Sequence, residues 1–143
     1  ITYPPEGIRG VSGITRATRF GAVQGYAQRA NEELCLLVQV ETRTALDNLE
    51  EIATTPGVDG VFLGPADIAA SFGHVGQPSH PEVKAAILDA MARLKVLGVP
   101  SGILSLDQAF LQEARGVGAA FVAVDVDSGM LRRAACARRV EWA

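Results

Sequence analysis

The chain has 143 residues, of which 48% are hydrophobic, with 13 basic and 16 acidic side chains and a formal net charge of −3. This length and apolar content suffice for one globular unit with a sizeable core. The small, scattered charge offers no basic surface for nucleic acid or an anionic membrane, and no apolar run approaches the roughly 20 residues that span a bilayer.

The first part of the chain is weakly patterned and the next part strongly so. Residues 1–30, rich in Gly and Arg, predict a loop followed by a helix around Tyr26, Ala27 and Ala30. Residues 35–40 form a short branched apolar run, typical of a strand buried on both faces. Apolar residues at helical spacing predict a helix over 44–53, which a Thr-Thr-Pro-Gly sequence then stops.

A second strand and the clearest helix follow. Residues 61–63 predict a strand that ends at Gly64-Pro65. The helix begins at Pro81, a favoured first-turn residue, and ends before Gly98. Its apolar face comprises Val83, Ala86, Ile87, Ala90, Met91, Leu94 and Leu97.

The same alternation continues to the end of the chain. Residues 101–104 predict a strand, and Asp107 the N-cap of a helix that carries Phe110, Leu111 and Ala114 and stops at Gly116 and Gly118. Residues 121–126 predict a further strand. An Asp127-Ser128 cap is expected to begin the last helix, with apolar residues Met130, Leu131, Ala134 and Ala135.

Four strand–helix units, each about 25 residues long, are typical of a parallel sheet with helical crossovers. The predicted fold class is therefore α/β. Because a closed (β/α)8 barrel needs eight units and about 250 residues, the chain is expected to be either a small doubly wound sheet or about half of a barrel.

The two cysteines are predicted to be buried apolar residues and not a disulfide. Cys35 lies in an apolar run, and Cys136 lies on the apolar side of the last predicted helix. The N-terminal sequence lacks the basic-then-apolar pattern of a signal peptide. We therefore expect a reducing, cytoplasmic location.

Two carboxylates follow consecutive predicted strands and are the strongest candidates for chemistry. Glu41 comes directly after the first strand, and Asp67 follows the second in Gly64-Pro65-Ala66-Asp67. Neighbouring strands lie about 4.8 Å apart, and ligands of parallel α/β folds bind at this edge, so both carboxylates could reach one cation. Two oxygen ligands without His or Cys suit a hard ion such as Mg²⁺ or Mn²⁺.

Each of these residues also has a plainer interpretation. Glu41 could cap the following helix, and Asp67 could merely end a strand. Gln39, a polar residue in an apolar strand, could bind a ligand or satisfy a structural partner. The backbone N–H groups near Ala66 and Asp67 could hold a carboxylate or phosphate at the start of a helix.

The only histidines, His74 and His80, lie in a Gly/Pro/Ser-rich loop over residues 71–80. His80 directly precedes the helix that begins at Pro81. We therefore interpret both histidines as surface or capping residues and not as general bases.

Four segments together resemble the HpcH/HpaI aldolase family, which includes 4-hydroxy-2-oxoheptanedioate and 2-keto-3-deoxy-sugar-acid aldolases. They are Tyr-Pro-Pro-Glu-Gly-Ile-Arg-Gly at 3–10, Leu-Val-Gln-Val-Glu-Thr at 37–42, Gly-Val-Asp-Gly-Val-Phe-Leu-Gly-Pro-Ala-Asp at 57–67 and Phe-Val-Ala-Val-Asp-Val-Asp at 121–127. The resemblance covers nearly the whole chain. It implies a TIM barrel of which residues 1–143 are the C-terminal half, with about the last four βα units.

The resemblance also implies a function and roles for individual residues. The activity would be that of a class II aldolase that reversibly cleaves 4-hydroxy-2-oxo acids to pyruvate and an aldehyde, using Mg²⁺, Mn²⁺ or Co²⁺. Glu41 and Asp67 would bind the metal, Gln39 and Asp67 would contact the pyruvate unit, and the backbone at Ala66 would receive its carboxylate. The resemblance further implies a homo-oligomer, either a hexamer or a dimer. No Schiff-base lysine is required.

The sequence departs from the family pattern in two respects. The general-base histidine and the transition-state arginine belong to early strands that this sequence does not contain, so their roles map onto no residue here. Asp125 stands in the last predicted strand where the family usually has a small residue. Two alternatives stay open: a non-catalytic half-barrel that binds metal and keto acids, and a related citramalyl- or malyl-CoA-type lyase.

Overall fold

A computed structural model describes residues 1–142, which form two compact units, Ile1–Cys35 and a unit that begins at Leu36. The elements in chain order are α1 (Tyr26–Glu33), β1 (Leu37–Val40), α2 (Arg43–Asp47), α3 (Leu49–Ala53), β2 (Gly60–Leu63), α4 (Pro65–Ser71), α5 (Pro81–Val96), β3 (Ser101–Leu104), α6 (Gln108–Val117), β4 (Phe121–Ala123) and α7 (Asp127–Glu141). None of the helices described is long and apolar enough to cross a bilayer.

The first unit is a loop followed by α1, as predicted. Thr18 organises the loop, because its buried hydroxyl donates to the carbonyls of Gly13 and Thr15 and accepts from the backbone N–H of Gly21. Nearby, the Arg9 guanidinium lies 4.6 Å from the ring centre of Tyr3 and donates to the Tyr26 hydroxyl at 3.2 Å. These contacts order a segment that has no strand of its own.

The second unit contains a four-stranded parallel sheet in the order β1-β2-β3-β4. The register pairs Val40 with Leu63, Leu63 with Ile103, and Ile103 with Val122, so the strands follow one another in chain order. Sequential parallel strands joined by helices are the pattern expected of consecutive βα units in a barrel. The prediction of four βα units in an α/β fold is confirmed.

The core lies between the sheet and α5, whose buried residues match the predicted apolar stripe except at Ala86, which is only partly buried, and at Leu97, the C-cap, which is 39% exposed. Val83, Ile87, Ala90, Met91 and Leu94 are all at most 1% exposed. They pack with residues of the central strands and of α6, among them Leu63, Ile103 and Phe110. Burial of this apolar surface supplies most of the driving force that holds the unit together.

Several helix ends are as predicted. Pro81 is the first residue of α5, and Gly98, just beyond its C-cap, has a positive φ of 71°. Asp107 caps α6 by accepting a hydrogen bond from the backbone N–H of Phe110 at 3.0 Å. This bond is the main reason that the pKa of Asp107 lies below its usual value.

The single helix predicted over 44–53 is wrong: α2 and α3 are separate and meet at Asn48. The Asn48 side chain donates to the Thr44 carbonyl at 2.9 Å, and its own φ of −103° and ψ of 20° lie outside the helical range. An asparagine side chain that bonds to a nearby backbone carbonyl disfavours the interior of a helix, and Asn48 is where the break lies.

The predicted extent of the last strand is also wrong, because β4 ends at Ala123 and not at residue 126. Its partner β3 ends at Leu104, which pairs with Ala123, so the next residues have no strand to bind. Helix α7 then begins at Asp127 itself, with Val126 as its N-cap and no side-chain cap. The expected Asp127-Ser128 cap is therefore wrong.

The sheet margins are more exposed than predicted. Strand β1 starts at Leu37, not at residue 35, and its burial alternates, leaving Leu37 48% exposed. Cys35 and Cys136 are both exposed free thiols, which corrects the prediction that they are buried. The reason is that β1 pairs on one side only and no residue of α7 is buried within the part of the chain that the structure describes.

Candidate active site

The Glu41 carboxylate lies against Gly64 at the carboxyl-terminal edge of the sheet. Since Val40 pairs with Leu63, the residues that follow them meet where β1 and β2 end. A Cβ atom built on Gly64 would be 2.6 Å from Oε1 and 2.9 Å from Cγ of Glu41. Only glycine leaves room for this carboxylate without displacing it.

The plainer interpretation of Glu41 as a helix cap is wrong. Thr42 is the N-cap of α2, and its hydroxyl accepts a hydrogen bond from the Ala45 N–H at 3.1 Å. Glu41 is thus free of a capping role and directs a carboxylate oxygen towards the start of the next βα unit. A partly buried carboxylate in this position is suited to binding a cation.

Gln39 lies beside Glu41 and holds its carboxylate. The Gln39 Nε2 donates to Glu41 Oε1 at 2.6 Å, which fixes one oxygen of the carboxylate. Gln39 is exposed at the sheet edge, so the prediction that it points into an apolar surrounding is not what the structure shows. Its amide oxygen and second N–H remain available to a ligand.

Asp67 and Ala66 are in the first turn of α4, so the interpretation of Asp67 as a mere strand end is also wrong. Pro65 occupies the first helical position, and no described side chain caps this end of α4. The Ile68 N–H already bonds to the Gly64 carbonyl. By helix geometry, the N–H groups of Ala66 and Asp67 are then the free donors at this end.

A cavity of about 300 Å³ opens at this edge. Its walls are residues 64–67 at the start of α4, residues 78–79 of the loop before α5, and residues 104–106 after β3. Asp67 and Ala66 therefore face the same space as Gly64, on which the Glu41 carboxylate rests. Most of the remaining wall is apolar, contributed by Pro65, Pro78, Leu104 and Leu106.

The sequence did not indicate two of the three walls. Pro78 and Ser79 lie in a loop that reads only as polar and flexible, and residues 104–106 reach the cavity because β3 is the next strand in the sheet. The available signal was the position of residues 105–106 directly after a predicted strand, which is the same signal that identified Glu41.

The histidines lie outside the cavity walls described above. His80 is the N-cap of α5, and its Nδ1 accepts a long hydrogen bond of 3.3 Å from the Glu82 N–H, which confirms the capping interpretation. The rings of His74 and His80 stack with their centres 3.6 Å apart. The Glu82 carboxylate bonds to His74 Nε2 at 2.8 Å, and this bond, with help from Arg43, lowers the pKa of Glu82.

The two lysines lie on α5, as predicted. Lys84 Nζ is 3.2 Å from Glu113 and 3.7 Å from Asp107, so it joins α5 to α6. Lys95 packs its side chain against Gly118. Neither lysine lines the cavity among the residues that the structure describes.

Asp125 lies beyond β4 and not within it. Its carboxylate bonds to the backbone N–H of Val126 and pairs with the Arg133 guanidinium on α7. Asp125 therefore ties the end of the sheet to the last helix, which is a structural explanation for an acidic residue at this position.

Comparison with known proteins gives a single family. Residues 1–134 match the family model described as HpcH/HpaI aldolase/citrate lyase. The chain is 67% identical over 142 residues to a hydroxypyruvate/pyruvate aldolase of Sagittula stellata, covering 99% of this chain and 56% of that protein. It is 62% identical over 133 residues to a pyruvate aldolase of Rhizobium etli, covering 93% of this chain and 52% of that protein.

A solved structure agrees with these sequence matches. The crystal structure of an HpcH/HpaI aldolase/citrate lyase family protein from Burkholderia cenocepacia J2315 superimposes with a TM-score of 0.84 and 41% identity. The match covers 98% of this chain and 56% of that one. The chain thus spans about half the length of the curated and solved relatives that it matches.

Proposed function

The chain belongs to the HpcH/HpaI aldolase/citrate lyase family, and on that premise we propose that it carries the metal-binding part of a class II pyruvate aldolase. The reaction is the reversible cleavage of a 4-hydroxy-2-oxo acid to pyruvate and an aldehyde. The observation that supports this most strongly is the contact of the Glu41 carboxylate with Gly64, because Gly64 and the first turn of α4 line the cavity.

The donor groups present fit a hard divalent cation, and Mg²⁺, Mn²⁺ and Co²⁺ all suit them. Glu41 and Asp67 supply carboxylate oxygens from adjacent βα units, and Gly64 has no side chain that would displace the first of them. A cation held there would supply positive charge against the negative charge that develops on the keto oxygen of a 2-oxo acid.

The chain's own groups bind and orient the pyruvate unit. The free N–H groups of Ala66 and Asp67 at the start of α4 are suited to the substrate carboxylate, because helix N-termini attract anions. Gln39 holds Glu41 with one N–H and has its remaining amide groups for the substrate. The apolar walls of the cavity would limit water around the reacting carbons of a bound substrate.

Proton transfer belongs, in this proposal, to residues outside this chain. Neither His74 nor His80 lines the cavity in the part of the chain that the structure describes. We propose that residues 1–143 are the C-terminal half of one TIM-barrel domain, and that the other half supplies the general-base histidine and the arginine. The coverage of about half of each relative supports this division.

Cellular location and assembly are two further attributes that we propose. The two cysteines are free and exposed, which fits a reducing compartment, so we propose a cytoplasmic location. We propose a homo-oligomer, a dimer or a hexamer, because exposed apolar residues remain on α7 and at its C-cap, such as Leu131 (72% exposed) and Trp142 (85% exposed).

The test is a pyruvate-release assay on the full-length protein with a 4-hydroxy-2-oxo acid and Mg²⁺, Mn²⁺ or Co²⁺. Glu41→Gln and Asp67→Asn should each abolish metal-dependent release, while Glu51→Gln, an exposed residue of α3, should leave it unchanged. Turnover that survives chelation of all metal, or that survives both substitutions, would refute the proposed metal-dependent function.

A further inference from the structure

The loop between α4 and α5 brings together three side chains that ligate transition metals. One ligating atom from each of His74, His80 and Glu82 lies within 4.8 Å of the other two. The cluster shares no residue with the proposed Glu41–Asp67 site, and neither histidine borders the cavity within the described residues. We propose that His74, His80 and Glu82 form a second metal site, selective for a borderline-soft divalent cation such as Zn²⁺.

The donor set determines the class of ion. Two imidazole nitrogens and one carboxylate suit Zn²⁺, Cu²⁺, Ni²⁺ and Co²⁺, whereas oxygen-only sites suit Mg²⁺ and Mn²⁺. The two sites of the protein would therefore differ in the ion that they prefer. With three protein ligands, the fourth position of a tetrahedral Zn²⁺ is left for water.

Binding requires the His74 and His80 rings to leave their stacked arrangement, because a cation lies in the plane of each imidazole that it binds. Zinc–ligand bonds of about 2.0–2.2 Å put the ligand atoms of a tetrahedral site roughly 3.3 Å apart. His74 Nε2 and Glu82 Oε2 are 2.8 Å apart and share a hydrogen bond, so a cation bound by both atoms replaces that bond, with the His74 proton then on Nδ1, and His80 turns towards them. Gly73 and Gly76, with φ values of 87° and 76°, give the loop around His74 backbone freedom for such an adjustment.

The interaction that His80 gives up is weak. Its Nδ1 now accepts a hydrogen bond of 3.3 Å from the Glu82 N–H. A cation bound at Nδ1 takes that lone pair, and a cation bound at Nε2 requires the proton to move to Nδ1, which ends the same bond. In either case one long hydrogen bond is exchanged for a metal–nitrogen bond.

Arg43 places a positive charge close to the proposed cation, and it also holds the Glu82 carboxylate in position. Its Nη2 is 3.6 Å from Glu82 Oε1, while His74 contacts the other oxygen, Oε2. The Arg43 guanidinium lies 3.9 Å from the ring centre of Phe72, which holds it in place. The carboxylate can thus keep Arg43 on Oε1 and present Oε2 to the cation, an arrangement in which an outer partner orients a ligand.

Binding would fix one wall of the cavity. His74 and His80 flank the loop that contributes Pro78 and Ser79 to that wall. A cation shared by His74, His80 and Glu82 closes this loop onto the first turn of α5. The proposed site therefore restrains the loop that contributes Pro78 and Ser79 to the cavity wall, independently of the aldolase reaction itself.

The experiment measures Zn²⁺ binding by calorimetry on the metal-free, full-length protein in a Glu41→Gln/Asp67→Asn background, which removes the other proposed site. One Zn²⁺ should bind per chain. Adding His74→Gln and His80→Asn should weaken binding by more than roughly tenfold, the smallest loss usual for an outer-shell substitution. Asparagine at 80 keeps an N-cap, so α5 remains capped. Glu113→Gln changes an exposed glutamate outside the cluster, so it is the control and should leave Zn²⁺ binding unchanged.

Cu²⁺ electron paramagnetic resonance on the same proteins gives an independent readout. Nitrogen hyperfine couplings should be present with His74 and His80 and absent after their substitution. Unchanged Zn²⁺ affinity and unchanged nitrogen couplings in the His74→Gln/His80→Asn protein would overturn the proposal, as would the absence of any Zn²⁺ binding in the starting background. Neither result depends on whether the protein cleaves a keto acid.

Discussion

Glu41 and Gly64 are in direct contact: Oε1 of Glu41 occupies a position 2.6 Å from where a Gly64 Cβ would be. The contact joins two consecutive βα units at the edge where the cavity opens. It makes the position of a candidate metal ligand depend on the absence of a side chain on the neighbouring strand end.

Gly64→Ala should therefore impair function more than stability. Gly64 has a φ of −99°, which alanine adopts without strain, and the clash is with a flexible side chain that can turn away. We expect the free energy of unfolding to stay within about 1 kcal/mol of wild type. Metal-dependent pyruvate release should fall sharply, because Glu41 is displaced.

Urea denaturation and the pyruvate assay on the same sample check this prediction. Gly10→Ala is the control, since nothing lies within 4 Å of a Cβ at Gly10. Full activity in Gly64→Ala would mean that the observed position of Glu41 is not needed.

Gln39→Leu should weaken metal binding without abolishing it. The substitution removes the 2.6 Å hydrogen bond that holds Glu41 Oε1 but leaves the carboxylate itself. Loss of such an outer partner lowers metal affinity by about 10- to 100-fold. Mn²⁺ titration followed by electron paramagnetic resonance measures the effect, and an unchanged affinity would show that Gln39 does not orient Glu41.

The Glu50–Arg93 pair should make part of the stability depend on pH. Arg93 donates to both Glu50 oxygens at 2.6 Å, and this hydrogen bonding lowers the pKa of Glu50 from its ordinary 4.5 to about 2. Since the folded carboxyl binds its proton more weakly than the unfolded one, the stabilisation is complete above about pH 4.5 and is lost as the pH falls towards 2.

The measurement is the difference in Tm between wild type and Glu50→Gln from pH 7 downwards. This difference should shrink below about pH 4.5. In an Arg93→Gln background the same substitution should show no such trend, because the partner is gone. A Tm difference that is constant with pH in wild type would contradict the assigned ion pair.

Leu94→Ala should test the position of the core. Leu94 is fully buried on α5, and removal of a buried leucine side chain typically destabilises a protein by about 2–5 kcal/mol. Val96→Ala, two residues further along the same helix and 88% exposed, should change the free energy of unfolding by less than about 0.5 kcal/mol. Similar values for the two substitutions, measured by urea denaturation, would contradict the burial of this helix face.

The elements that the sequence predicted correctly depend on local patterns. The apolar stripe and first-turn proline of α5, the Asp107 cap of α6 and the capping role of His80 can each be inferred from neighbouring residues. The four βα units follow from the alternation of such segments. Glu41 and Asp67 were predicted to be site residues because the ends of parallel strands share an edge, and their metal-binding role stays a prediction.

The wrong predictions concern residues whose structure depends on another segment of the chain with which they pair or pack. β4 ends early because β3 ends at Leu104, and Cys136 is exposed because α7 has no covering surface in the part described. The break at Asn48 required knowledge that its side chain bonds to Thr44. The contact between the Glu41 carboxylate and Gly64 depends on the register of β1 and β2, and neither strand's sequence alone specifies that register.

The most direct test of the central claim is Mn²⁺ binding to the metal-free, full-length protein, measured by electron paramagnetic resonance, for wild type, Glu41→Gln and Glu51→Gln. We predict one tight Mn²⁺ site in wild type and in Glu51→Gln, and its loss in Glu41→Gln with the fold unchanged by circular dichroism. Retention of that Mn²⁺ site in Glu41→Gln would contradict the assignment of this edge of the sheet as the metal centre.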